Sequence, residues 1–183
     1  MLIMKNSDAI HQLIKNFKSP AYIMLVGPPG VGKSTFIKQY LNHIGMAKMN
    51  FHVASTDDII EKIAAENNRT YSETFHNVNQ KLIKKEMEIG IKQAFQDNIS
   101  IIHDQTNMSR KSRASKLINI PDNYQKICLN FILDEKVLME RLDNRAKLTG
   151  KTIPQFVMKS MLNNYEVPTE AEGFNLIIQV ETD

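Results

Sequence analysis

The sequence holds a single cysteine, Cys128, so no disulfide within the chain can brace it. That residue lies in the apolar run Ile127–Leu133, where a thiol serves as a small hydrophobe. Glycine and proline are scarce, 7 and 6 among 183 residues, and neither disorder nor a fibrous repeat has that composition. Long apolar runs are missing too. The longest near the start, Ala21–Val26, falls far short of the roughly 20 residues a membrane span needs. No signal-peptide pattern precedes it, and the expected location is the cytoplasm. The 5 histidines show no metal-ligand spacing.

Net charge is only +3, too small to require a nucleic-acid partner. Its distribution is uneven, however. Residues 110–151 carry ten basic and five acidic side chains, whereas residues 152–183 carry one and five. The basic stretch, with Arg110, Lys111, Arg113, Arg141 and Arg145, points weakly to a polyanion. With 42% hydrophobic residues, a chain of this length suits one domain that buries its own core.

Residues 1–20 contain Ile10, Leu13, Ile14 and Phe17 at helical spacing before Pro20, which predicts an appended N-terminal helix. Residues 21–183 then alternate. Tyr22–Val26 is a short apolar run bounded by glycine, as in a buried parallel strand. A helix is expected from Lys33 to His43, stopping at Gly45. Strands follow at Phe51–Ala54, Ile99–His103, Gln125–Leu133 and Phe174–Val180. Between them come helices from Asp57, over Ser72–Gln96, around Ser109–Leu117, and over Glu135–Leu148 and Pro154–Asn164. This alternation predicts an α/β fold, a parallel sheet with helices on both faces.

Gly27-Pro-Pro-Gly-Val-Gly-Lys-Ser34 matches G-x-x-x-x-G-K-[ST] between an expected strand and an expected helix, the setting of a P-loop. Its backbone N–H groups and the helix start would face phosphate oxygens. Gly27, Gly30, Val31, Gly32, Lys33, Ser34 and Thr35 form the expected nucleotide-binding set for ATP. Lys33 would meet the β- and γ-phosphates, and Ser34 would offer its hydroxyl to Mg²⁺, a hard cation that prefers oxygen.

Two further acidic positions sit where strands are expected to end, the side of an open parallel sheet that faces ligands. In Ser55-Thr-Asp-Asp58, one carboxylate could accept a proton from a hydroxyl, with the other capping the next helix alongside Ser55 or Thr56. Asp104 ends the apolar run Ile99–His103, as the magnesium-associated acid of P-loop proteins does. Arg141 and Arg145 are four apart on one face of an expected helix, where they could close over the phosphates as a lid.

Asp104-x-Thr-Asn107 followed by Arg110 and Arg113 resembles the second motif of the polynucleotide-kinase-like P-loop family. Tyr165-Glu-Val-Pro-Thr-Glu-Ala-Glu-Gly-Phe174 is similar to the segment that closes the kinase domain of animal polynucleotide kinase/phosphatases. The resemblance runs over about residues 21–180. It implies a P-loop NTPase fold with a helical lid, and transfer of the γ-phosphate of ATP to the 5′-hydroxyl of DNA or RNA. It also implies Asp57 as base, Asp104 at the metal, and the pair Arg141 and Arg145 as lid cations. Two positions depart from it: Thr56 and Ile60 stand where such kinases carry arginine. Those departures keep open a small-molecule acceptor such as a nucleoside, a sugar nucleotide or a sugar, and a nucleotide-dependent binding protein without turnover is a third reading.

Overall fold

The computed structural model describes residues 3–43, 51–149 and 151–182. Six strands are present among them: β1 (Ile3–Lys5), β2 (Ala21–Val26), β3 (Phe51–Ser55), β4 (Ser100–Asp104), β5 (Gln125–Ile132) and β6 (Leu176–Glu181). They form one sheet in the order β1-β6-β5-β2-β4-β3, with every neighbouring pair parallel. The helices are α1 (Asn6–Asn16), α2 (Lys33–His43), α3 (Thr56–Glu66), α4 (Tyr71–Asn77), α5 (Gln80–Gln96), α6 (Arg110–Leu117), α7 (Glu135–Thr149) and α8 (Gln155–Asn163). A single 3₁₀ turn, Glu170–Glu172, precedes β6.

β2 lies inside the sheet and is buried along its whole length, which explains its uninterrupted apolar run. Its side chains alternate between two cores. Ala21, Ile23 and Leu25 pack with Leu13 of α1, Phe36 and Tyr40 of α2, Leu138 and Leu142 of α7, and Met158 of α8. Tyr22, Met24 and Val26 pack on the other face with Met87 and Ala94 of α5 and Leu117 of α6. The expected architecture of helices over both faces of a parallel sheet is present. Cys128 is fully buried in the second core as a small hydrophobe.

Three elements differ from the sequence reading. The N-terminal helix forms over Asn6–Asn16, and its Ala9, Ile10 and Leu13 belong to the same core as β2 and β6. In front of it β1 extends the sheet, with Met4 opposite Val180. Three residues are too few for a period to show. The long helix expected over Ser72–Gln96 is two helices. Asn79 accepts a bond from the Lys81 N–H and caps α5, while Val78 before it is extended. The last strand starts two residues later than Phe174, whose side chain is buried in the second core. Gly45, expected at the end of α2, lies outside the described residues.

Candidate active site

The loop Gly27–Ser34 leaves β2 and enters α2 at Lys33, as the motif requires. Its glycines sit where a side chain has no room. Gly30 has φ of 83°, and a Cβ there would come 2.8 Å from Leu142 Cδ2 of α7. Gly32 has φ of 107°, and a Cβ there would come 3.0 Å from Thr182 Cγ2. Val31 is buried and its carbonyl accepts from the Thr182 hydroxyl at 2.6 Å. Thr35 is exposed on the first turn of α2.

The Lys33 ammonium donates to the carbonyls of Gly27 and Pro28, each at 2.8 Å, and is buried. Burial pushes its pKa down to about 8, with Asp104 and Asp57 opposing and Arg145 adding to the fall. The charge is therefore costly to keep without an anion beside it.

Asp104, the last residue of β4, accepts from the Ser34 hydroxyl at 3.5 Å. Burial pushes its pKa up, and the Lys33 ammonium acts against that rise. This is an environment that favours a cation. Among the described residues, no group of three or more His, Cys, Asp or Glu side chains could hold a metal by itself. Two protein oxygens with the remaining positions left to phosphate and water fit Mg²⁺, which keeps waters and binds through few carboxylates. A structural zinc site or a calcium cage does not fit.

β3 runs beside β4 with Ser55 opposite Asp104, so Asp57 and Asp58, in the first turn of α3, follow the same carboxyl end of the sheet. Neither aspartate caps the helix. Ser55 does, accepting from the Asp58 N–H at 3.1 Å, which removes the expected capping role of the second carboxylate. Asp57 accepts at Oδ1 from the Tyr71 hydroxyl at 2.8 Å. Asp58 has its pKa raised by burial, with the Ser55 hydrogen bond opposing. Both carboxylates add to the rise at Asp104, which puts all three acids in one electrostatic neighbourhood.

α7 follows Asp134, whose carboxylate accepts from the N–H groups of Lys136 and Val137 at 2.9 and 3.3 Å. Its two arginines diverge. Arg141 donates to the Thr182 hydroxyl at 3.3 Å and lines a cavity of about 340 Å³ with Asn6, Gly30, Gly32, Thr35 and Thr182. The positive charge of Arg145 instead acts on Lys33 and Tyr71. Thr182 and Tyr71 were not singled out in the sequence, because a lone threonine after a strand and a lone tyrosine before a helix follow no motif.

The segment Asp104–Asn107 is tied to the P-loop and to β2 before it. The Gly27 N–H donates to Thr106 O at 2.9 Å, and the Asn107 side-chain amide donates to Leu25 O at 2.7 Å. Asn107 has φ of 47°, a conformation asparagine tolerates better than most residues. Arg113, expected with Arg110 on a basic helix, is fully buried and grips Glu172 in the closing segment. It is structural, and it joins the two motifs in space. Arg110 remains exposed. Ile60, one of the positions departing from the kinase pattern, is 1% exposed, so an arginine there would have to be accommodated in the interior.

The chain is similar to several known proteins. A relative, L-seryl-tRNA(Sec) kinase of Methanococcus maripaludis, is 31% identical over 158 residues, which are 84% of this chain and 56% of the relative. The chain thus spans little more than half the length of that curated relative. A chain of the Pnkp1/Rnl/Hen1 RNA repair complex matches with a TM-score of 0.61 and 21% identity, over 82% of this chain and 46% of that one. A gluconokinase of Sinorhizobium meliloti matches with a TM-score of 0.52 and 18% identity, over 90% of this chain and 84% of that one. Both structural likenesses concern the fold. No helix among the described residues is long and apolar enough to cross a membrane. The model of the AAA domain family matches residues 23–168, most of the chain, with the P-loop, Asp57, Asp104, Arg141 and Arg145 inside the match, and the chain belongs to that family of nucleotide-binding P-loop proteins.

Proposed function

We propose that the chain is an ATP-dependent P-loop kinase that transfers the γ-phosphoryl group to a hydroxyl borne by nucleic acid, with the 5′-hydroxyl of RNA or DNA as the first candidate. The carrying observation is the bond to Asp57, whose charge acts on Lys33 of the phosphate loop, from Tyr71 of a stacked aromatic pair. The Tyr71 and Phe75 rings stack at 5.8 Å with 28° between planes, and Phe75 is 41% exposed. An exposed ring stacked on the tyrosine that bonds a proton acceptor offers a stacking platform for a terminal nucleobase. The relative named for L-seryl-tRNA(Sec) also favours an RNA-borne hydroxyl.

The residues divide the work as follows. Gly27, Gly30, Val31, Gly32, Ser34 and Thr35 cradle the phosphates through the loop backbone and the start of α2. Lys33 turns its ammonium from the loop carbonyls to the β- and γ-phosphates, relieving a buried charge. Ser34 and Asp104 would hold Mg²⁺, which would neutralise phosphate charge when bound. Asp57 takes the acceptor proton, and Arg141 and Arg145 stabilise charge on the nucleotide from α7.

The test is incubation with γ-labelled ATP and 5′-hydroxyl RNA and DNA oligonucleotides, with seryl-tRNA beside them. Label on a strand or on seryl-tRNA is the expected result; turnover only with nucleosides or sugars would replace nucleic acid by a small acceptor. That second reading is favoured by Thr56 and the buried Ile60, which leave the base without the neighbouring arginines of nucleic-acid kinases.

A further inference from the structure

Asp57 is the second residue of α3 and Tyr71 the first of α4, and the turn between the helices brings the two side chains together. Tyr71 is fixed from three sides. Thr70 and Glu73 close a reciprocal capping box at the start of α4, which orients the backbone. The Phe75 ring one turn later stacks on it. Lys151, beyond the end of α7, holds its Nζ 3.9 Å from the centre of the Tyr71 ring and also pairs with Glu61 of α3. The only polar atom of this ring meets Asp57 Oδ1 at 2.8 Å. Burial first, and the bond to Asp57 second, push the phenol's pKa up, so it stays a donor throughout the neutral range.

A carboxylate on the exposed first turn of a helix has several rotamers open to it, and a base that samples them meets its acceptor only part of the time. Resting on the reading that the acceptor is a hydroxyl, we propose that Tyr71 is a positioning residue for Asp57. Its hydroxyl holds Oδ1 and fixes the carboxylate, so that Oδ2 receives the acceptor proton. In that step the acceptor oxygen forms a bond to the γ-phosphorus. The bond from that phosphorus to the β,γ-bridging oxygen breaks, its electron pair leaves on ADP, and the acceptor proton passes to Asp57 Oδ2. Lys151 and Glu61 extend the arrangement: the chain leaving α7 is fastened to the two helices that carry the base and its positioner.

Tyr71→Phe isolates the hydroxyl, because the ring, its stack on Phe75 and its contact with Lys151 all remain. Rates are measured for wild type, Tyr71→Phe, Asp57→Asn and the double variant in two assays. One is transfer to a 5′-hydroxyl oligonucleotide; the other is ATP hydrolysis with water in the acceptor's place. Tyr71→Phe should lower kcat about 10-fold and leave the ATP KM within about two-fold, a split that marks loss of an interaction made at the reacting centre. In the Asp57→Asn background it should cost nothing further, since a positioner without its base has nothing to position. An unchanged kcat, or losses that simply multiply in both assays, overturns the proposal. Wild-type hydrolysis with the coupling intact but no transfer to any oligonucleotide keeps Tyr71 as the positioner and overturns the nucleic-acid reading instead.

Discussion

Arg113 Nε and Nη2 donate to the two carboxylate oxygens of Glu172 at 2.7 and 2.8 Å, and this ion pair spans 59 positions of the chain. Both side chains are out of water, and Arg113 Nη1 also donates to the carbonyls of Asn107 and Met108. One guanidinium therefore holds the loop after Asp104 to the segment before β6. Burial raises the Glu172 pKa, but Arg113 and the Thr169 N–H outweigh it and hold the carboxyl below its ordinary 4.5. Glu172→Gln leaves a buried cation without its counter-charge and should lower stability by about 3–5 kcal/mol. Chemical unfolding at neutral pH measures it. A depressed carboxyl stabilises above its unfolded pKa, so the wild-type advantage should shrink as pH falls from 4.5 toward the folded value.

The choice between Asp57 and Asp58 gives the second expectation. Asp57→Asn keeps the shape and the bond from Tyr71, and removes the basic oxygen. ATP affinity should hold while transfer falls by about 10²–10⁴-fold, the usual worth of a placed proton acceptor. Asp58→Asn should leave transfer nearly intact, because Ser55 caps α3 through the Asp58 backbone rather than its carboxylate. Single-turnover transfer by both variants decides the assignment. An active Asp57→Asn protein beside a crippled Asp58→Asn protein reverses it.

The P-loop was legible because its glycines follow a backbone requirement that recurs at fixed spacing, and Gly30 and Gly32 meet it against Leu142 and Thr182. The ends of β3 and β4 were legible from short apolar runs stopping at acids. What escaped was tertiary. β1 is too short to show a period, and its pairing with β6 is set by chain ends far apart in sequence. The split at Asn79 hid behind continuous helical spacing, where a capping side chain outweighed it. Arg113 looks in sequence like one more surface cation, and only its meeting with Glu172 makes it interior. Tyr71 and Thr182 reach the site by contacts across 14 and 151 positions, which no local pattern records.

Lys33 predicts a pH dependence. Its ammonium loses the proton near pH 8 in the free protein, and bound phosphates favour the charged form. Above that pH, ATP must bind together with a proton, so affinity should fall. The expected loss is about 10-fold at pH 9 relative to pH 7, approaching about 10-fold per further unit. Calorimetric titration with Mg·ATP from pH 7.0 to 9.5 reads it directly. Lys33→Ala should bind more weakly and with a flatter profile over the same range; an equally steep variant would move the titrating group elsewhere.

Arg141 and Arg145 share a helix face in sequence but part company in the site, and their substitutions should separate accordingly. Arg141 is bonded to Thr182, whose hydroxyl also holds Val31 O, and it lines the cavity beside Gly30, Gly32 and Thr35. On the proposed function it therefore meets the nucleotide before chemistry begins. Arg141→Ala should raise the ATP KM by about 10-fold with kcat changed little, the mark of binding shared by ground and transition states. Arg145 exerts its charge on Lys33 and on Tyr71, between the phosphate loop and the base. On the proposed function, charge that spreads onto the transferred phosphoryl oxygens would gather there, and a guanidinium is worth most where charge develops. Arg145→Ala should lower kcat by about 10²-fold or more and raise the ATP KM by less. Steady-state kinetics of both variants against ATP, at saturating acceptor, is the measurement. A KM effect confined to Arg145 and a kcat effect confined to Arg141 would exchange the two roles, and equal effects on both parameters would return the pair to a single undivided clamp.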